Sequence, residues 1–158
     1  MKLNELFDSK STNGKYVAFA LSKESVDNIR YYIKNLNLKN PLPPLDYHVT
    51  LIGSNNNFEM ELKDYTNNPI IIPSSKMFWW IFKTQEGNSC LVLRFDNKYL
   101  QERYAEATAA GAKSSFDKYL PHVTFSYDTD HNFDTIQALP VPSFDIELVK
   151  EYQDSFKN

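Results

Sequence analysis

Tyr47-His48-Val49-Thr50-Leu51 and Pro121-His122-Val123-Thr124-Phe125 are two readings of one pattern. The chain has three histidines, His48, His122 and His131, and two of them open the tripeptide His-Val-Thr. With 7 Val and 8 Thr in 158 residues, Val-Thr follows a given position by chance with a frequency on the order of 0.002. Two occurrences after three histidines therefore mark a feature. The null case is a pair of ordinary strand pieces, since Val and Thr both favour strands. In a strand, residues i and i+2 share a face. Each tripeptide then presents His and Thr forwards and sends Val, with the following Leu51 or Phe125, into a core.

The surrounding elements repeat as well. Lys15–Leu21 reads as a strand, followed by a helix with Ser22 as N-cap and an apolar stripe at Val26, Ile29, Ile33 and Leu36. Pro41, Pro43 and Pro44 end it before the first tripeptide. Met77–Lys83 and Ser89–Phe95 read as a hairpin turning at Glu86-Gly87-Asn88. A second helix is expected from about Asn97 to Ala110, with Asp96 as N-cap and Gly111 as its stop, ahead of the second tripeptide. Glu59–Tyr65 alternates as a strand does, and Phe144–Tyr152 reads as the last strand. Short turns between strands favour antiparallel or mixed pairing. The expectation is one α+β domain over residues 1–158, with two similar lobes.

The paired motif suits phosphodiester chemistry. A neutral imidazole takes a proton from an attacking hydroxyl, and a protonated one gives a proton to the leaving oxygen. Imidazole titrates near neutrality, so one site can hold a ring in each state. Thr hydroxyls can donate to non-bridging phosphate oxygens and stabilise the charge that grows there. Zinc is the competing use of two histidines, but it wants a third ligand, and His131 sits in the polar stretch Asp128-Thr129-Asp130-His131-Asn132. Neither a metal nor a cofactor is expected. Four glycines without phosphate-loop spacing argue against a Gly-rich nucleotide loop.

Composition narrows the substrate. A net charge of -3 disfavours tracking of long DNA or RNA, which relies on clustered Lys and Arg. It leaves room for a small anionic ligand. Aromatic residues make up 15% of the chain, and flat rings can stack on bases. No apolar run is long enough for a membrane-spanning helix, and Met1–Lys10 lacks the apolar core of a signal peptide. The lone Cys90 lies in an apolar strand and reads as packing. These features lead to the expectation of a cytoplasmic protein that needs no membrane.

His48-Val49-Thr50 and His122-Val123-Thr124 resemble the two His-x-Thr motifs of the 2H phosphoesterase superfamily. The resemblance implies a two-lobed α/β fold, with largely antiparallel sheets around a central cleft and helices at the flanks. Within the superfamily the chain is most similar to the phage anti-CBASS cyclic-oligonucleotide phosphodiesterases, on its size, on Asn4-Glu5-Leu6-Phe7 followed by Tyr16, and on its aromatic tail. That likeness implies metal-independent cleavage of 3′–5′ bonds in cyclic di- and trinucleotide immune signals such as cyclic GMP–AMP, within the bacterial host cytoplasm. His48 and His122 become the acid/base pair, with His48 favoured as base, and Thr50 and Thr124 become phosphate holders. Tyr16, Trp79 or Trp80, Glu151 and Phe156 become candidates for holding the bases, with Glu147 competing against Glu151. The tail departs from the pattern, since Phe156 stands where a Trp is expected. Arg94, inside an apolar strand, either pairs with an acid or meets a substrate phosphate. The alternatives are a 2′,3′-cyclic phosphodiesterase acting on RNA ends, and a sponge that binds nucleotide without cutting it. The sequence leaves the oligomeric state open.

Overall fold

The computed structural model describes residues 14–155. Seven strands form one antiparallel sheet: β1 (Lys15–Leu21), β2 (His48–Ser54), β3 (Ile70–Ile72), β4 (Phe78–Lys83), β5 (Ser89–Arg94), β6 (His122–Ser126) and β7 (Ile146–Ser155). Their spatial order is β3-β7-β1-β2-β6-β5-β4, and every neighbouring pair except one is joined by several residue pairs. The exception is the central β2–β6 junction, which rests on Val49 opposite Val123. To one side lie β1 and β7, and to the other β5 and β4. Helix α1 (Lys23–Lys34) joins β1 to β2, and helix α2 (Lys98–Ala109) joins β5 to β6. The mixed α+β architecture is therefore built as a single curled sheet rather than several.

Alternation along the strands decides which face is dry. Val17, Phe19, Val49, Leu91, Leu93, Val123 and Phe125 are all fully buried. They form a common core with Ile29 of α1 and with Leu100 and Ala107 of α2, so both helices cover this face. Local sequence explains the helix ends. The Ser22 hydroxyl accepts from the Ser25 amide at 3.1 Å, capping α1 as expected. At α2 the cap is Asn97, whose side chain accepts from the Leu100 amide at 3.0 Å, and not Asp96. The Phe95 amide is still bonded to the Pro121 carbonyl, so the chain stays extended through Asp96 and turns one residue later. Gly111 adopts a φ of 108°, and the Ala112 and Gly111 amides return to the Ala107 and Thr108 carbonyls. This is the Schellman closure that glycine permits.

One segment departs from the sequence expectation for a physical reason. Glu59–Tyr65 is not a strand, and only Asp64 makes an isolated bridge, to Lys150. Around that bridge the Tyr65 amide donates to the Val149 carbonyl and the Lys63 carbonyl accepts from the Glu151 amide, and a buried charge cluster holds the rest. Arg103 of α2 grips Glu151 of β7 through Nε at 2.8 Å and through its terminal nitrogen at 2.6 Å. The Tyr65 hydroxyl and the Lys63 amide also donate to Glu151, and Arg103 donates to the Glu61 carbonyl. The Glu151 side chain is fully covered. Glu151 pairs across with Phe19 and therefore lies on the helix-covered face. Glu147, the competing acid, accepts from the Ser22 hydroxyl at 2.9 Å and so ties β7 to the start of α1.

Removing one partner of a buried ion pair strands the other charge, at a cost of about 3–5 kcal/mol. Glu151→Ala is therefore expected to lower unfolding stability by about that amount in urea denaturation. A variant within 1 kcal/mol of the parent would show that the cluster contributes little.

Candidate active site

The junction at Val49 and Val123 sets the geometry of the opposite face. The strands run antiparallel, so His48 lies diagonally across from His122, and each histidine stands opposite the other strand's threonine. His48, Thr50, His122 and Thr124 thus share one face and form a compact quartet. Thr50 and Thr124 are buried and the two histidines are partly exposed. The structure brings together all four residues singled out by the tripeptides.

Each imidazole is held in the same way. His48 Nδ1 lies 2.8 Å from the Asp46 carbonyl, and His122 Nδ1 lies 2.8 Å from the Leu120 carbonyl. A carbonyl can only accept, so both Nδ1 atoms carry the proton and both Nε2 atoms are the reactive ones. In each case the carbonyl sits two residues upstream, in the loop that delivers the strand. Burial lowers the pKa of His48 from the ordinary histidine value, against the opposing pull of the Asp46 carbonyl and carboxylate. Burial also lowers His122, to about 4, with repulsion from His48 and Arg94 adding to the effect.

The walls come from both sides of the junction. On β1, Ala18 pairs with Thr50 and Ala20 with His48, and these short side chains keep the floor low. Tyr16 lies on the same face of β1, its phenol hydrogen-bonded to Asp154 and raised in pKa chiefly by burial. Tyr152 pairs with Ala18 and extends this wall. On the other side, the Phe82 ring packs edge-on against His122 at 5.0 Å. Beyond it is a cavity of about 180 Å³ lined by Thr50, His122, Phe82, Tyr104, Phe116 and Tyr119. Tyr104 and Tyr119 stack at 4.9 Å, and the Tyr119 hydroxyl donates to the Thr50 carbonyl at 2.7 Å. Sequence reading missed Phe82, Tyr104 and Tyr119. The one local signal was Phe82's place on the face of β4 that also carries Phe78 and Trp80.

The remaining candidates separate by strand parity. Trp79 faces the core, 6% exposed, with its ring against Phe125 at 5.0 Å and its indole N–H donating to the Pro140 carbonyl. Its neighbour Trp80 is on the histidine face and more open, at 36%. Glu151 is held in the Arg103 cluster, away from the quartet. Phe156 and the segment Asn4–Phe7 lie outside the described residues. Among the described residues no group of three or more His, Cys, Asp or Glu gathers as a metal-ligand set, and no helix is long and apolar enough to cross a membrane.

Solved structures share this architecture. A crystal structure of a phosphoesterase matches with a TM-score of 0.57 at 13% identity, covering 90% of this chain and 88% of that one. Escherichia coli LigT in its apo form matches with a TM-score of 0.54 at 14% identity, covering 90% of this chain and 87% of LigT. Closer likeness comes from sequence. The anti-CBASS protein Acb1 of Vibrio phage KVP40 is 31% identical over 152 residues, 96% of this chain and 91% of that protein. The anti-CBASS protein Acb1 of Enterobacteria phage T4 is 32% identical over 154 residues, 92% of this chain and 90% of that protein. The model of the family described as anti-CBASS protein Acb1 matches residues 13–158, and with relatives this similar along almost its whole length, the chain belongs to that family.

Proposed function

We propose that the protein is a phosphodiesterase that cleaves cyclic oligonucleotide signals of CBASS immunity by histidine acid/base chemistry. The observation that supports this reading best is the quartet on β2 and β6: two Nε2 atoms of one tautomer, diagonal across a strand junction, each beside a threonine. In the proposed reaction one Nε2 takes the proton of a ribose 2′-hydroxyl. The 2′-oxygen attacks the adjacent phosphorus, the P–O5′ bond breaks, and the other ring gives its proton to the departing 5′-oxygen. The product end is a 2′,3′-cyclic phosphate, which water can open with the two rings exchanging roles. Thr50 and Thr124 donate to the non-bridging oxygens. Tyr16, Tyr152 and Trp80, on the same face, are the proposed stacking surfaces for bases.

The charges beside the two rings favour an assignment opposite to the sequence expectation. The Asp46 carboxylate favours a proton on His48, whereas His48 and Arg94 oppose one on His122, so the singly protonated site carries the proton on His48. His122 is then the base and His48 the acid.

Cyclic GMP–AMP incubated with the protein in EDTA is expected to give linear product. Dinucleotide bound and recovered intact would identify a sponge instead. Cutting confined to RNA ends bearing a 2′,3′-cyclic phosphate would identify an RNA-end enzyme. His48→Ala and His122→Ala are each expected to lower turnover by roughly 10²–10⁴, and a loss of only a few-fold in either would remove that ring from proton transfer.

Two further measurements bear on the roles. The productive form needs one neutral and one protonated ring. It gains as pH rises through about 4, where His122 deprotonates, and declines as His48 loses its proton below the ordinary histidine value. A bell-shaped kcat/KM profile with its maximum on the acid side of about 6.5 is expected, and a maximum above 7 would contradict it. A ribonucleoside 3′-(4-nitrophenyl phosphate) has a leaving group that needs no proton. On it, His48→Ala should recover most of its lost rate while His122→Ala should not, and the reverse pattern would exchange the two roles.

A further inference from the structure

Arg94 is a charged feature of the histidine face that the proposed reaction has not used. It closes β5 directly opposite His122 and opposite Phe78 on β4. Its guanidinium lies 4.9 Å from the Phe78 ring and 5.1 Å from the Trp80 ring. Two aromatic faces thus hold a flat cation on the same side of the sheet as the quartet. Its Nε is buried and donates to nothing, and among the described residues no carboxylate pairs with it.

That is an unusual state for a partly buried arginine. A covered guanidinium ordinarily meets a carboxylate, because desolvating an unpaired charge is unfavourable. The chain does supply such a partner elsewhere: Arg103 has both Glu151 and Glu106. Arg94 instead has rings that orient its plane without neutralising it. The group it borders is His122, and the charged or titratable groups acting on that ring are His48 from β2 and Arg94 from β5. An anion placed between Arg94 and the quartet would satisfy the guanidinium and meet the threonine hydroxyls together.

The comparison across the junction sharpens this. The residue opposite His122 on its outer side is Arg94, and the residue opposite His48 on its outer side is Ala20. The motif is nearly two-fold but its flanks are not. A cation stands beside His122, and the Asp46 carboxylate acts on His48.

We propose that Arg94 binds the non-bridging oxygens of the scissile phosphodiester from the His122 side of the cleft, and that its charge, opposite in sign to the Asp46 carboxylate beside His48, helps to make His122 the proton acceptor. The inference rests on the phosphodiesterase reading for its reaction but not for its ligand, since any phosphate group presents the same oxygens. Arginine suits this task because its fork can offer two parallel N–H donors to a phosphate. As charge accumulates on those oxygens during attack, the contact strengthens, so its loss falls on kcat as well as on KM.

The test compares wild type, Arg94→Gln and Arg94→Lys. Inorganic phosphate is titrated while the imidazole signals of His48 and His122 are followed by NMR, and kcat/KM is measured on cyclic GMP–AMP. Arg94→Gln is expected to weaken phosphate binding by about tenfold or more and to lower kcat/KM by roughly 10²–10³. Arg94→Lys, which keeps the charge and loses the fork, should fall between wild type and Gln. In Arg94→Gln the acid limb of the kcat/KM profile should move to higher pH, as repulsion on His122 is relieved, and a purely structural role would leave that limb in place. If Arg94→Gln fails to fold, the Lys variant decides: equality with wild type in both phosphate affinity and kcat/KM overturns the proposal. Phosphate affinity unchanged in a folded Gln variant, or no phosphate binding by wild type, also overturns it. Phosphate binding that depends on Arg94 in a wild type inert to cyclic GMP–AMP would uphold the inference and remove the phosphodiesterase reading instead.

Discussion

One backbone pairing carries the architecture. The two halves of the sheet meet where Val49 faces Val123, and among the described residues nothing else in the strand ladders joins them. Both valines are fully buried, so the junction is dry, and the residues flanking each valine must point the other way. Strand parity does the rest. A slip of one residue in either strand would turn its histidine and threonine into the core and its valine into the cleft. The hydrophobic choice at two positions therefore places four polar side chains at once. The loops add the final orientation, since the Asp46 and Leu120 carbonyls just ahead of the strands hold the rings by Nδ1.

This explains why the centre of the molecule was legible in the sequence and the periphery was not. The tripeptide states its own geometry: alternation gives the face, and repetition gives the partner. Helix α1 was equally plain, from Ser22 and the apolar stripe ending before Pro41. Glu151 and Trp79 illustrate what single-strand reading cannot reach. Whether a strand residue faces cleft or core depends on strand parity, and β7 carries a register shift beside Ala20 and Leu21. Glu151 falls on the core side of that shift, where Arg103 waits some fifty residues earlier in the chain. Trp79 and Trp80 could not be told apart until Phe125 was known to lie behind one of them. Glu59–Tyr65 alternates like a strand, yet it meets the β7 backbone only around Asp64, and its Lys63 amide and Glu61 carbonyl are taken by the buried cluster.

The division of acidic residues follows the same logic. With 20 Asp and Glu against 17 Lys and Arg, the chain as a whole repels polyanions. Its buried acid, Glu151, is spent on the side away from the histidines, neutralising Arg103. On the histidine face, Arg94 stands next to His122 with no acidic partner among the described residues. Lys83 and Lys118 line the adjoining cavity and add to the local sign. The net charge and the charge around His122 thus differ in sign, while Asp46 and Asp154 lie on the His48 and Tyr16 side.

Near-symmetry sets a chemical problem that this arrangement resolves. Two histidines in the same tautomer, held by equivalent carbonyls on antiparallel strands, would titrate alike if their surroundings were alike. Proton transfer across a phosphodiester needs them unlike, one empty and one loaded. Burial alone lowers both. The asymmetry comes from the charges around each ring: the Asp46 carboxylate favours a proton on His48, and Arg94 of β5 opposes one on His122, while β1 places only Ala20 opposite His48. A repeated motif can therefore serve two different roles without changing its own residues, provided that the charges around each histidine differ.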